Sequence, residues 1–212
     1  MIHKRAKSSS FLKVNPNGRI PAIIDHNRNS YPVFESGAIL LYLAEHYDGD
    51  FRFSFQDGDE KMETMQWLFF QNAGLGPMQG QANHFVRYAP EEIEYGMKRY
   101  KNETKRLYSV LEARLQDRDY LAGKGHGKYS IAEITTFTWV RWAPWAGIEL
   151  KEFLKLTEWC ERIEKRDAVQ NGLLVPSGGD QIERLRKDPD VQDPFKEWVQ
   201  KGQKEVAEKH GN

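Results

Sequence analysis

The sequence predicts a mainly helical protein with a small β-hairpin-and-helix unit near its front. Three observations carry this. Two short apolar runs, Ala22-Ile23-Ile24 and Tyr31 to Phe34, flank the polar stretch Asp25 to Ser30, as two strands flank a hairpin loop. Directly after the second run, Glu35-Ser36-Gly37 opens a segment whose apolar residues Ile39, Leu40, Tyr42 and Leu43 suit one helix. From Glu60 onward the apolar residues recur at intervals of three and four.

Taken in order, Asn15-Pro16-Asn17-Gly18 reads as a turn. Ile20-Pro21 then enters the first strand. An X-Pro bond at that place is a candidate cis peptide, and the missing ladder donor leaves the edge of Ile20 open to a peptide-like ligand. Glu35-Ser36 stands at a helix start, where free backbone N–H groups and the helix dipole favour a carboxylate. The Ser36 hydroxyl adds a donor there, and Glu35 adds an anion for an ammonium group. Together they suit a free amino acid end.

Residues 48–59, rich in Gly and Asp, break the periodicity and read as a linker anchored by Phe51, Phe53 and Phe55. Residues 60–75 form a helix with Met62, Met65, Trp67, Leu68 and Phe69, a pattern that suits burial on more than one side. Gly74, Gly76 and Pro77 weaken or kink it. The stretch from Pro90 to Gln116 is a long helix, with Ile93, Met97, Tyr100, Thr104, Leu107 and Leu111 on one face. Ser130-Ile131-Ala132-Glu133 is a capping box, in which Ser130 accepts from the N–H three residues on and Glu133 reaches back. Trp139, Trp142 and Trp145 follow at spacing three and serve core packing or wall a pocket. Pro144 ends or bends their helix. Residues 151–167 turn Phe153, Leu156, Trp159 and Ile163 inward, and the tail from Pro189 reads as a peripheral helix. The expected organisation is 1–47, a linker 48–59, a helical domain 60–188 and a tail 189–212.

Lys+Arg and Asp+Glu are both 31, so the net charge is zero and nothing calls for nucleic acid or an anionic surface. Mean hydropathy is −0.74, and no apolar run is long enough to span a membrane. The start, MIHKRAKSSS, has no apolar core and is not a secretory signal; it is basic and serine-containing, as mitochondrial leaders are, but short. One cysteine excludes an internal disulfide and fits a reducing, cytoplasmic setting. The six histidines show no metal-ligand spacing. The stretch Gly123-Lys124-Gly125-His126-Gly127-Lys128 lacks the spacing of a phosphate loop and reads as a loop before a cap. Cys160 reads as a buried small apolar residue.

The phrases NPNGRIPAI and FESGAILLYLAE, followed by WLFFQNAGLGPMQGQ, YLAGKGHGKYSIAEI and DAVQNGLLVP, closely resemble the cytosolic glutathione transferases, most of all the fungal nitrogen-regulator-like and bacterial nu-class group. The resemblance covers nearly the whole chain. It implies a glutathione transferase fold, mainly α, with a thioredoxin-like N-terminal domain and an all-α C-terminal domain. It also implies a homodimer and glutathione as co-substrate. The implied reaction is transfer of the glutathione thiolate to an electrophile, or reduction of a disulfide with it. Ile20, before Pro21, matches the residue whose backbone pairs with the cysteinyl part of glutathione. Glu35 and Ser36 match the pair that holds its γ-glutamyl end. Arg19 and Gln71 match positions that approach the ligand in nu-like relatives. No metal is implied.

Family members carry a strand–helix–strand unit before the segment matching Asn15, and it supplies the residue that helps activate the thiol. A βαβ unit needs about 30 residues, and here only 14 precede Asn15. The expectation is an incomplete thioredoxin-like domain, a hairpin with one edge left open, and no catalytic residue assigned. Ser8, Ser9 and Ser10 stand in the wrong place for that role. The alternative function is a non-catalytic interaction or regulatory protein on the same scaffold. At the capping box the family has Asp more often than Glu.

Overall fold

The structure, a computed structural model, describes residues 8–56, 58–175, 180–188 and 196–210. The chain begins with a single helical turn α1 (Ser9–Leu12), strands β1 (Ala22–Asp25) and β2 (Tyr31–Phe34), and helices α2 (Ser36–Tyr47) and α3 (Gly58–Phe69). It continues through α4 (Gly76–Asn83), α5 (Glu94–Arg114), α6 (Ile131–Arg141), α7 (Leu154–Glu164), α8 (Asp167–Leu173), α9 (Gln181–Lys187) and α10 (Lys196–His210). Two π-helical turns, Phe70–Leu75 and His84–Tyr88, flank α4. Two compact units result: Met1–Phe69 with Tyr120–Thr135, and Phe70–Asp119 with Thr136–Asn212.

In the first unit, β1 and β2 form an antiparallel pair with Ala22 opposite Phe34 and Asp25 opposite Tyr31. The hairpin expected from the two apolar runs is present and is two-stranded among the described residues. Only Asp25 and Val33 of its strands are buried. The burial of Asp25 has a polar cause. Its Oδ2 accepts from the hydroxyls of Tyr42 (2.7 Å) and Tyr47 (2.6 Å), and its Oδ1 accepts from the Asn27 N–H (3.0 Å). These donors, Tyr47 first, hold the Asp25 carboxyl below the usual carboxylate range.

Residues 48–56 are irregular. Asp48 organises them, accepting from the N–H groups of Arg52 and Phe53 and from the Ser54 hydroxyl. Of the three expected anchors only Phe55 is buried, against Gly123; Phe53 meets the Tyr129 ring and Phe51 is exposed. α3 buries Thr64 and Leu68, while Met62 and Phe69 are exposed. The expected burial on several sides is thus reduced to one stripe, as the helical period dictates for residues 64 and 68.

The capping box forms with one change. Glu133 Oε2 accepts from the Ser130 N–H (2.8 Å) as expected, but the Ser130 hydroxyl accepts from Ala132, two residues on rather than three. That hydroxyl donates its own proton to Glu133 (2.7 Å), and the other Glu133 oxygen accepts from the Leu121 N–H (2.6 Å). The glycine-rich loop offers further amides: Gly123 donates to Glu63 and Lys124 to Glu60, both 2.9 Å. Burial pushes the Glu133 carboxyl up to about 7 despite its donors.

The second unit is held by apolar packing. α5 buries Thr104, Leu107, Tyr108 and Leu111. It starts at Glu94, not at Pro90, and Ile93 is 39% exposed, so the expected face begins only further along the helix. α7 buries Leu156, Trp159, Cys160 and Ile163, with Phe153 buried just before it, as the periodicity predicts. α6 ends at Arg141, before Pro144. The three tryptophans pack rather than line an open wall: Trp139 lies against Gly76 and Gly80, and Trp142 packs on buried Trp145. Gln79 accepts from the Tyr108 hydroxyl (2.8 Å) and donates to the Trp139 carbonyl (2.6 Å). Of the expected tail, Pro189 and Phe195 lie outside the described residues; Val206 in α10 is exposed.

Candidate functional site

The start of α2 combines unusual backbone with uncommitted side chains. Glu35, its N-cap, has φ 70° and ψ 124°. A residue with a β-carbon adopts positive φ at a cost, and such strain gathers at functional sites. Glu35 makes no side-chain cap, and neither its carboxylate nor the Ser36 hydroxyl has a hydrogen-bond partner among the described residues. Both side chains are exposed. The first-turn N–H groups of α2 and the positive end of its dipole are therefore left without a side-chain cap from Glu35, an arrangement that favours an anion.

A second strip of backbone ends beside it. The Ile20–Pro21 peptide is cis, and Ile20 is 56% exposed. Since Ala22 pairs with Phe34, Pro21 and Glu35 flank the same end of the hairpin. Asn15, 2% exposed, shapes the approach. Its amide donates to the Arg19 carbonyl (2.6 Å), its Oδ1 accepts from the Asn17 N–H (2.9 Å), and its carbonyl accepts from Gly18 (3.0 Å). Gly18 takes φ 66°, which glycine adopts without strain.

The structure therefore brings Ile20, Pro21, Glu35 and Ser36 to one end of one hairpin, with Arg19 exposed next to them in the chain. Gln71 belongs to the other unit, buried in the π-helical turn Phe70–Leu75. Sequence reading took Asn15 for a plain turn residue, put Asp25 in the hairpin loop where the structure has it ending β1, counted Tyr42 among the apolar residues of α2, and gave Tyr47 no role. An Asn before Pro at a turn was a usable signal for the first; nothing local signals the other three.

This set offers one carboxylate-seeking helix end, one carboxylate for an ammonium group, and one exposed backbone edge. A separate cavity of about 700 Å³ on the flank of α2, lined by Tyr31, Tyr42, Phe51, Phe55 and Met65 among others, includes none of these residues. Elsewhere, Glu164, Asp180 and Glu183 bring carboxylate oxygens within 4.8 Å of one another. The buried Arg141 guanidinium pairs with both Glu164 and Asp180 and answers their charge. Among the described residues no helix is long and apolar enough to cross a membrane.

Comparison with known proteins gives the site its context. The sequence profile of the glutathione S-transferase N-terminal domain matches residues 2–45, and that of the C-terminal domain matches residues 79–167. The disulfide-bond oxidoreductase YfcG of Escherichia coli is 43% identical over 175 residues, covering 81% of this chain and 79% of that protein. A glutathione transferase homologue from Lodderomyces elongisporus, solved with two glutathione molecules per subunit, superposes with a TM-score of 0.77 at 38% identity, covering 83% of this chain and 84% of that one. The transferase URE2P6 of Phanerochaete chrysosporium, solved with oxidized glutathione, gives a TM-score of 0.73 at 39% identity, covering 78% of this chain and 76% of that one. The chain belongs to the glutathione S-transferase family, near its Ure2p-like members.

Proposed function

We propose that this chain binds glutathione at the start of α2 and uses it as a co-substrate, transferring its thiolate to an electrophile or reducing a disulfide. The observation that carries the reading is the strained, uncommitted Glu35-Ser36 pair at the mouth of the cis Ile20–Pro21 strand entrance. The residues suit the two charges of the ligand's γ-glutamyl end. The γ-glutamyl carboxylate fits the α2 N–H groups and the Ser36 hydroxyl, and the γ-glutamyl ammonium fits Glu35. The exposed backbone of Ile20 suits the peptide part of the ligand. Arg19 belongs to the same proposed set, as an exposed cation for a carboxylate. A bound thiol reacts as its thiolate, so the protein itself needs no nucleophilic cysteine. The buried Cys160 is accordingly outside the proposed chemistry.

The same reading includes a homodimer and a cytoplasmic setting. Titration calorimetry of glutathione onto the protein tests it. Saturable heat is expected, lost or weakened at least tenfold in Glu35→Ala. Binding followed by turnover of an electrophile or a disulfide supports the enzyme. Binding without turnover favours a regulatory role on the same scaffold. No binding by the folded wild type overturns the reading. A single species of monomer mass in sedimentation at micromolar concentration removes the dimer.

A further inference from the structure

We infer that Asp25, Tyr42 and Tyr47 are positioning residues for the γ-glutamyl end of glutathione: they grip α2 at mid-helix and at its last residue and so aim its first turn. The inference rests on the reading of Glu35 and Ser36 proposed above.

The geometry begins with the direction of α2. The helix leaves β2 at Phe34, beside Ala22, and returns along the hairpin toward Asp25 at the opposite end. There a single carboxylate oxygen, Asp25 Oδ2, receives both tyrosine hydroxyls, at 2.7 and 2.6 Å. Tyr42 and Tyr47 are five residues apart, which places them about 7.5 Å apart along the axis and about 140° apart around it. Two arms from different sides of a helix onto one point resist rotation as well as tilt. The point itself is fixed. Asp25 is 8% exposed, lies in the ladder opposite Tyr31 and has its other oxygen on the Asn27 N–H.

The lever is long and the competing packing is thin. Tyr42 and Tyr47 lie six and eleven positions past Ser36, about 9 and 16 Å of helix, so a small turn at the clamp moves the first-turn N–H groups appreciably. Only Gly37 and Ile39 of α2 are buried. Apolar contact alone therefore specifies the helix weakly, and the two short hydroxyl–carboxylate bonds supply the missing constraint. A carboxylate needs its donors aligned to be held well, so loss of aim reaches affinity even though no clamp residue belongs to the proposed ligand-binding set.

The test uses Tyr47→Phe, Tyr42→Phe and Asp25→Asn, which keep ring or volume, with Ser36→Ala alone and combined with Tyr47→Phe. Circular dichroism and melting confirm that each variant is folded. Two readouts are taken: glutathione affinity by calorimetry, and hydrogen exchange of the Ile39 amide, which bonds the Glu35 carbonyl at 2.9 Å. Tyr47→Phe is expected to weaken glutathione about tenfold, equivalent to 1.4 kcal/mol, and to speed Ile39 exchange. In the Ser36→Ala background the loss should shrink to about threefold or less, because coupled residues are non-additive. The same tenfold loss in both backgrounds, or Ile39 exchange unchanged in all three clamp variants, overturns the inference. If wild type binds no glutathione while Ile39 exchange rises in the variants, the glutathione reading falls and the clamp stands only as a device that aims α2.

Discussion

The hairpin with α2 and the helical packing of α5 and α7 are held together by different forces. The strands bury two residues, Asp25 and Val33, and α2 buries Gly37 and Ile39. Hydrogen bonds to Asp25 hold this region. By contrast Tyr108, Leu111, Leu156, Trp159 and Ile163 are all at 0% exposure. The difference teaches where each kind of residue is useful. Apolar packing is strong and tolerant of ligand state, so it suits a scaffold. Directional bonds on a thinly packed element set angles, which suits the role proposed for the first turn of α2.

The largest expected effect breaks the apolar side. Trp159→Ala should destabilise by about 3–5 kcal/mol, the usual range for a buried aromatic, measured by urea unfolding of the purified chain. A loss under about 1 kcal/mol would mean that the helical core relaxes like a surface and the contrast is false.

Next comes Glu133, which sits in polar bonds yet is buried like a core residue. Its folded carboxyl lies at about 7, above the unfolded value of 4.5. The folded state therefore holds the proton more tightly, and the contribution favours folding most at low pH. Stability should fall as pH rises from about 4.5 through 7 and level off above, by about 3 kcal/mol from the size of the shift. Glu133→Gln, neutral throughout, should lack that slope. Equal slopes in the two proteins across pH 4.5–8 would reject the assignment.

Ser130→Ala is smaller. It removes the cap on Ala132 and one donor to Glu133, and about 1 kcal/mol is expected from the cap, read as a lowered melting temperature. Smallest of all is Lys98→Ala. Its i,i+4 pair with Glu94 is exposed on both sides, and such pairs contribute little. An unchanged unfolding midpoint is expected, and a clear drop would show that surface charge matters more here than packing predicts.

Much of this was legible in one dimension. The strand pair fell where the two apolar runs stand, α2 opened at Ser36, and Phe153, Leu156, Trp159 and Ile163 turned inward. The misplaced start of α5 has a local cause. Pro90, Glu91 and Glu92 suit a first turn in composition, but Glu94 is where the helix begins. Composition near a helix end constrains its boundary only loosely. Of the candidate site, the sequence showed residue types and order; it did not show that Glu35 takes φ 70° or that its side chain is left uncommitted.

What the sequence by itself determined is therefore the set of elements, the turn and cap chemistry, and the phrases that carry the family likeness, because periodicity and propensity act over a few neighbouring residues. What only the tertiary structure decided is which distant polar groups meet. Asp25 finds Tyr42 and Tyr47 across 17 and 22 residues, and Gln79 finds Tyr108 and Trp139 across 29 and 60. A hydrogen bond needs its two atoms within about 3 Å and aligned, and no local pattern encodes that meeting. It exists only once the hairpin has turned and the helices have packed.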